Sequence, residues 1–536
     1  MSHVEQNIVT TTETAPPRWT ARISKWLRAN RMRASVIAAL SFIFVVGLAG
    51  LDPSEWFATI MQGLSVGALT FLVASGLSLI LGLMDVLNLA HGELFMLGAY
   101  VGWTAYTRFD TVIDVAVPLL VGISPFFLMP IWRRTLPLLP AAPLARRVVG
   151  WVTLAAGGAL AVYGFTRFPL VIWDADDFAT SPGSFSTQID LGTLAPLAAD
   201  SFSGSVIVAG VAVFLGGVLS ACGLNAFRTR VGATTTLTGR RMAGFAGVLG
   251  AAIVLQIVKA PLNDWIFGLS TTWRFLLAML ISTLVGAALG AVIEIVLIRP
   301  LYERPIYQLM VTLGVGFILI ELVREIWGRP EFTMSRPAAF NGTGEGCPGQ
   351  GIGGVFSGCS TVEMFGSRLR VYNEFFVVAV GIVVLVAVTL LVRRTRIGMV
   401  IRAGVQDAEM VEALGINVRR VFTLVFAMGT GLAALGGVLA APSIGLGTGM
   451  GALFLLSALI AIAIGGLTSF PGAAAGAVIV GLTQQIIIRY GQTGIDLPFL
   501  AEPFKPSPTV VPAATLVLMV VVLLLLPSGL FGKGER

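Results

Sequence analysis

Fourteen apolar stretches follow one another along this chain, at roughly 36–51, 57–83, 94–108, 112–131, 148–166, 205–223, 242–258, 274–298, 308–327, 374–392, 421–441, 453–467, 472–489 and 509–526. Most Lys and Arg residues lie between them. A bilayer core of ~30 Å takes about 20 helical residues at ~1.5 Å each, and many of these windows reach that length. Only 12% of the 536 residues are charged, against about 25% in a soluble domain, too few to solvate a globule of this size. Alternating strand patterns are absent, so helices rather than a barrel must satisfy the backbone. The expected fold is an all-α, polytopic transmembrane helix bundle of about fourteen membrane segments. Several are short enough to be re-entrant. The pair 453–467 and 472–489, split by Ser469-Phe470-Pro471-Gly472, is the least settled.

Loop charge sets the orientation. With the N-terminus in the cytoplasm and sides alternating, Arg133, Arg134, Arg146 and Arg147 fall inside, as do Arg228, Arg230, Arg240 and Arg241. So do Arg299 and Arg304, the six arginines of 393–420, and Lys533 and Arg536 of the tail. The loop 167–204 falls outside, with Asp174, Asp176, Asp177, Asp190 and Asp200 against one Arg. This is the positive-inside pattern and reads as N-in, C-in. The net charge of +7 is then a topology signal and does not ask for nucleic acid. Residues 1–17 have little to bury. Trp19, Ile23, Trp26 and Leu27 recur among Arg18, Arg22, Lys25 and Arg28, as in a basic helix on the membrane surface or a plain positive anchor. No cleavable signal pattern is evident.

Chemistry-bearing motifs are few. There is no G-x-x-x-x-G-K-[ST] loop, only His3 and His91 among histidines, and no Cys/His cluster for a metal. No cofactor, metal or catalytic site is expected, and the chain is not read as an enzyme. Asp85, Asn88, His91 and Glu93 lie between two apolar segments. They read either as a broken helix with polar groups aimed at a pathway, Asn88 and His91 sharing a helical face, or as an interfacial turn in water. In 393–420, Val405, Met410, Val411 and Leu414 recur at helical spacing, as in one short amphipathic helix ending at Gly415. Its apolar side suits a soluble partner's groove or the membrane surface. Glu294 stands near a span end, where snorkelling is the simple reading. Glu321 and Arg324 share a helical face. No acidic residue is read at mid-span, which weighs against an ion-coupled transporter. Cys347 and Cys359 lie in the outside loop 328–373, where a disulfide or two free thiols are the options. Gly and Ala crowd 429–442 and 465–482, as close helix packing requires.

Several of these residues resemble a known family. Leu87-Asn88-Leu89-Ala90-His91-Gly92-Glu93, followed by Met96-Leu97-Gly98-Ala99-Tyr100, resembles the signature of the branched-chain amino-acid permeases, membrane subunits of binding-protein-dependent ABC importers. Arg299-Pro300-Leu301 with Thr312-Leu313-Gly314 is similar to the family's middle segment. Glu412-Ala413-Leu414-Gly415 resembles its ATPase-docking loop, and Ile464-Gly465-Gly466-Leu467 with Pro471-Gly472-Ala473 its C-terminal signature. The resemblance covers about 55–108 and 273–532. It implies alternating access for branched-chain or other small amino acids, driven by two ATPase subunits. It also implies a second permease subunit, homologous or identical, and a periplasmic or lipid-anchored binding protein at the inner (cytoplasmic) membrane of a bacterium. Arg402, Asp407, Glu412 and Gly415 are the implied coupling residues, and Asn88, His91 and Glu93 the implied pathway region. The chain then divides into a basic N-terminal segment 1–35, a first core part 36–108, an inserted block of about four spans at 109–272, and the remaining core 273–536. That last part includes loop 328–373 and coupling loop 393–420. The same machine for urea, short amides or another small polar solute, an ATP-independent transporter or channel, and a membrane scaffold are the alternatives.

Overall fold

A computed structural model describes residues 31–132, 142–170, 182–193, 204–227, 239–328, 331–406, 408–467, 469–495 and 502–532. Each of the fourteen apolar stretches falls on a helix. In chain order these are α1 (Arg31–Ala49), α2 (Pro53–Met84), α3 (His91–Thr107), α4 (Phe109–Ile123, prolonged by short turns to Trp132) and α5 (Pro143–Thr166). The short α6 (Pro182–Leu191) is followed by α7 (Gly204–Ala226), α8 (Gly239–Phe267), α9 (Thr271–Ile293, prolonged to Leu301) and α10 (Pro305–Trp327). Then come α11 (Val378–Arg394, preceded by the π-turn Val371–Val377), α12 (Arg396–Gln406), α13 (Ala408–Ala413) and α14 (Val418–Ile444), and finally α15 (Met450–Gly465), α16 (Phe470–Thr493) and α17 (Val510–Leu525). Ten helices among the described residues are long and apolar enough to cross a bilayer. The chain is an all-α polytopic bundle. The basic residues 18–28 lie outside the described residues.

Small residues build the core. The middle of α2, from Gly67 to Ile80, is buried on every side, so this helix is central. Gly76 of α2 approaches Gly429 of α14 so closely that a Cβ would overlap the Gly429 carbonyl oxygen. Ser282 of α9 donates to the Gly98 carbonyl of α3 (2.7 Å) and reaches the Ala434 carbonyl of α14 (3.2 Å), tying three helices at one point. In a bilayer, where lipid is as apolar as leucine, such close approach and buried hydrogen bonding drive association.

The pair α15 and α16 forms an antiparallel hairpin, with Gly465 against Gly472 and Ala461 against Gly476. Its turn sits beside the last described residues, which the start of α1 also meets: Leu530 N–H donates to the Ile464 carbonyl (2.9 Å), and Arg33 Nη2 to that of Gly532 (2.5 Å).

A small element lies beyond the helical bundle. The segment 349–370 contains a small sheet, β1 (Gly349–Gln350) parallel to β2 (Thr361–Met364), and β2 antiparallel to β3 (Ser367–Arg370) with Val362 opposite Leu369. Val362 and Leu369 are buried and cluster with Ala58 on α2. Four-residue strands are too short to show as alternation in sequence. A disulfide joins Cys347 and Cys359 in this segment. Closing a loop of twelve residues' separation contributes about 3 kcal/mol in the chain-entropy account. Non-reducing peptide mapping is expected to recover the two cysteines in one linked species. Recovery of both as free thiols would remove the bond from this protein.

The 109–272 block makes its own cluster from Val117, Phe168, Leu170, Val206 and Ala209. Its first helix carries charges that the sequence reading leaves out. Arg108 pairs with Asp110, and Lys259 of α8 with Asp114 of α4 (2.5 Å). The loop 167–204 also holds a helix. Phe185 and Ile189 of α6 are buried in the core cluster, Phe185 beside Trp103 (6.2 Å). Asp190 accepts from Ser335 Oγ (3.3 Å) and Asn341 Nδ2 (3.4 Å).

Candidate functional site

The 84–93 turn splits between the two sequence readings. Asp85 ends α2 in the left-handed region (φ 53°) and is exposed. Asn88, His91 and Glu93 are buried (0%, 0% and 7% exposed). Asn88 and His91 do not share a helical face, because α3 starts at His91. Asn88 instead forms a turn before the helix, its Oδ1 accepting from Ala90 N–H (3.1 Å) and its carbonyl from His91 N–H (3.2 Å), a local competition with helix that Asn supports. His91 Nε2 donates to the Val73 carbonyl (3.2 Å). Glu93 lies between Gly316 of α10 and Gly451 of α15; a Cβ at Gly451 would stand 2.7 Å from Glu93 Oε2. Asn88 Nδ2, His91 Nδ1 and Glu93 Oε2 have no hydrogen-bond partner among the described residues. Buried polar atoms of this kind cost about 1–3 kcal/mol each.

None of these three residues lines either of two cavities that border α15. A cavity of about 280 Å³ is bounded by α2, α15, α16 and the start of α17, with Thr70, Ser457, Gln484 and Thr515 as its polar members and Val66, Ile460, Ile488 and Val511 among the apolar ones. Gln484 Nε2 reaches Ser457 Oγ (3.4 Å), and Thr70 Oγ1 is buried without a partner among the described residues. No charged side chain is among its lining residues. A second cavity, about 490 Å³, opens between Glu331, Phe332, Thr333 and the 444–450 turn. Leu453 and Phe454 line both, so the two cavities border the same stretch of α15. The second is within the ~300–1,000 Å³ of small-molecule sites, and the first is just below it. Phe454 also stacks on Phe95 (4.6 Å), which connects the 88–93 turn to the groove through one aromatic pair. Sequence reasoning missed the groove. Its only signal is uncharged: Gln484 and Ser457 within apolar windows.

The 393–420 loop holds two helices, α12 and α13, where one was expected. Asp407 lies outside the described residues. Arg402 Nη1 donates to the Val392 carbonyl (2.6 Å), capping the end of α11 and fixing α12 against it, as a cation at a helix C-terminus should. Val411 is buried, whereas Met410 (63%) and Leu414 (72%) are exposed. Glu412 is exposed beside them. Gly415 takes φ +83° and its N–H donates to the Glu412 carbonyl (2.9 Å), the left-handed stop that glycine permits.

Glu294 does not snorkel. It is fully buried and accepts from Arg299, Tyr302 and Thr423. Burial, and then the bond to Glu294, raise the Tyr302 pKa above its ordinary value. Glu321 and Arg324 do pair (2.6 Å), on an exposed face of α10.

The family model described as "Branched-chain amino acid transport system / permease component" matches residues 59–239 and 242–527. The match therefore also runs across most of 109–272, which the motifs above leave uncovered. The high-affinity branched-chain amino acid transport system permease protein LivH of Salmonella typhimurium is 26% identical over 291 residues, 54% of this chain and 83% of that protein. The permease protein BraD of Pseudomonas aeruginosa is 30% identical over 165 residues, 31% of this chain and 49% of that protein. The probable LivH of Methanocaldococcus jannaschii is 24% identical over 316 residues, 56% and 87%. No solved structure matches.

Proposed function

The chain belongs to the family of branched-chain amino acid transport system permease components, and from that membership we propose that it forms the translocation pathway of an ATP-driven importer for branched-chain or other small amino acids. It is a multi-pass protein of the inner membrane. The single observation that carries the substrate reading is the groove along α15. Hydroxyl and amide groups of Thr70, Ser457, Gln484 and Thr515 stand among aliphatic side chains with no charge, which suits a solute with a polar end and an apolar side chain. A second permease subunit would complete the pathway. The wider cavity at Glu331 is the mouth that a substrate-binding protein would serve, on the outer side if the basic loops face the cytoplasm.

Energy enters at the other end. Met410 and Leu414 expose an apolar face beside Glu412, the kind of helix that docks in a partner's groove. An ATPase subunit bound there, and a second on the partner permease, would drive alternating access through Arg402, Asp407, Glu412 and Gly415. Asn88, His91 and Glu93 then serve the pathway by holding α15, through Gly451 and the Phe95–Phe454 pair. An uncharged groove also suits urea or a short amide, and that is the second reading.

The test is uptake into proteoliposomes holding this chain with its ATPase, second permease and binding protein. Leucine uptake that requires ATP is the expected result. Uptake of urea without leucine would move the substrate to the second reading, and accumulation without ATP would overturn the ATP-driven one. Gln484→Leu removes one hydrogen bond, about 1.4 kcal/mol, and should lower leucine uptake roughly tenfold while the ATPase subunits stay bound.

A further inference from the structure

We infer that Glu294, Arg299, Tyr302 and Thr423 form a latch that passes movement of α12 and α13 into α9 and α14. The inference rests on the transport reading above and concerns what lies between the docking helices and the core. Glu294 Oε1 accepts from Arg299 Nε (3.1 Å) and Tyr302 OH (2.5 Å), and Oε2 from Arg299 Nη2 (2.8 Å) and Thr423 Oγ1 (2.7 Å). Arg299 Nη2 also reaches Thr423 Oγ1 (2.6 Å). These bonds join the end of α9, the 299–304 turn and the second turn of α14. Tyr302 adds an edge contact with Phe422 (5.9 Å).

Two features make this more than a static brace. First, the Thr423 hydroxyl has one proton and two acceptors in reach, Glu294 Oε2 at 2.7 Å and the Arg419 carbonyl of its own helix at 2.9 Å. Donating to Glu294 holds α14 to α9. Donating to Arg419 frees that link, while the hydroxyl oxygen still accepts from Arg299. Second, Glu294 opens a π-turn, its carbonyl accepting from Arg299 N–H. Such turns break helix register at functional sites. α14 is capped at Asn417, whose Oδ1 accepts from Arg420 N–H (3.1 Å), two residues after the left-handed Gly415. A displacement of α13 therefore reaches Thr423 within two helical turns. A coupling element needs two discrete arrangements that both sites can bias. The hydroxyl supplies them with no change in buried charge, since Arg299 keeps Glu294 paired in both.

The test uses the complete transporter in proteoliposomes. Thr423→Val keeps the shape and removes the proton; Thr423→Ser restores it. With Val, bound ATPase and ATP hydrolysis should stay near wild type while substrate taken up per ATP falls at least fivefold, and Ser should recover most of it. Tyr302→Phe, which removes one donor from the same carboxylate and keeps the ring contact, should lower the ratio two- to threefold. An unchanged ratio in Thr423→Val, or equal loss of hydrolysis, uptake and melting temperature, overturns the latch alone. A wild-type complex with no ATP-dependent uptake overturns the transport reading and the latch together.

Discussion

Gly437→Leu is expected to leave almost no folded protein. A Cβ at this position of α14 would overlap the Phe95 carbonyl oxygen and stand 2.9 Å from the Ala99 nitrogen of α3. Both obstacles are backbone, so no rotamer change relieves them. The same contact continues along the helices, where a Cβ at Gly98 would overlap Ala434. Ordinary overpacking costs about 1–3 kcal/mol because side chains can yield. Here α3 and α14 must separate. Separation would also strain the Ser282 bonds to Gly98 and Ala434. The expected readout is loss of the monodisperse species in detergent gel filtration. Gly158→Leu is the control, because nothing lies within 4 Å of a Cβ there, and it should behave as wild type. A monodisperse Gly437→Leu protein with unchanged melting temperature would mean that this interface is not packed as described.

The second large effect is functional and leaves the fold in place. Gly415→Val puts a β-branched residue at φ +83°, a region that L residues rarely adopt. Space is not the obstacle, since a Cβ at Gly415 meets nothing within 4 Å. The strain is local, about 1–2 kcal/mol, and falls in an exposed turn. The chain should therefore still insert and purify. What changes is the angle between α13 and α14, set by the bonds Gly415 N–H to Glu412 and Ile416 N–H to Val411 (3.3 Å). That angle orients Met410, Glu412 and Leu414. ATP-driven uptake should fall at least tenfold, and Gly415→Asn, which tolerates the left-handed region better, should fall less. Full uptake with Val and full retention of the ATPase subunits would remove Gly415 from the coupling residues.

Hydropathy and length made the helices legible, because a span declares itself in a continuous apolar window. Each window from 36–51 to 509–526 lies on a helix for that reason. The stop at Gly415 was also legible, since the left-handed turn asks for glycine. That 393–420 holds two helices, α12 and α13, was not, because Val405 to Leu414 keeps one helical spacing. Glu294 misled because proximity to a span end cannot show that Arg299, Tyr302 and Thr423 converge on it. Asp114 was passed over because its partner Lys259 is 145 positions away.

By itself, then, the sequence determined that this is a membrane bundle with one long amphipathic loop and the family's motifs. Those properties are carried by runs of neighbouring residues. Only the tertiary structure decided where polarity collects inside it. The polar members of the groove, Thr70, Ser457, Gln484 and Thr515, come one from each of four helices. The Glu294 cluster joins residues more than a hundred positions apart. Inside a bilayer-spanning bundle a polar group acts only through the partners it meets, and helix packing, which local sequence does not record, chooses them.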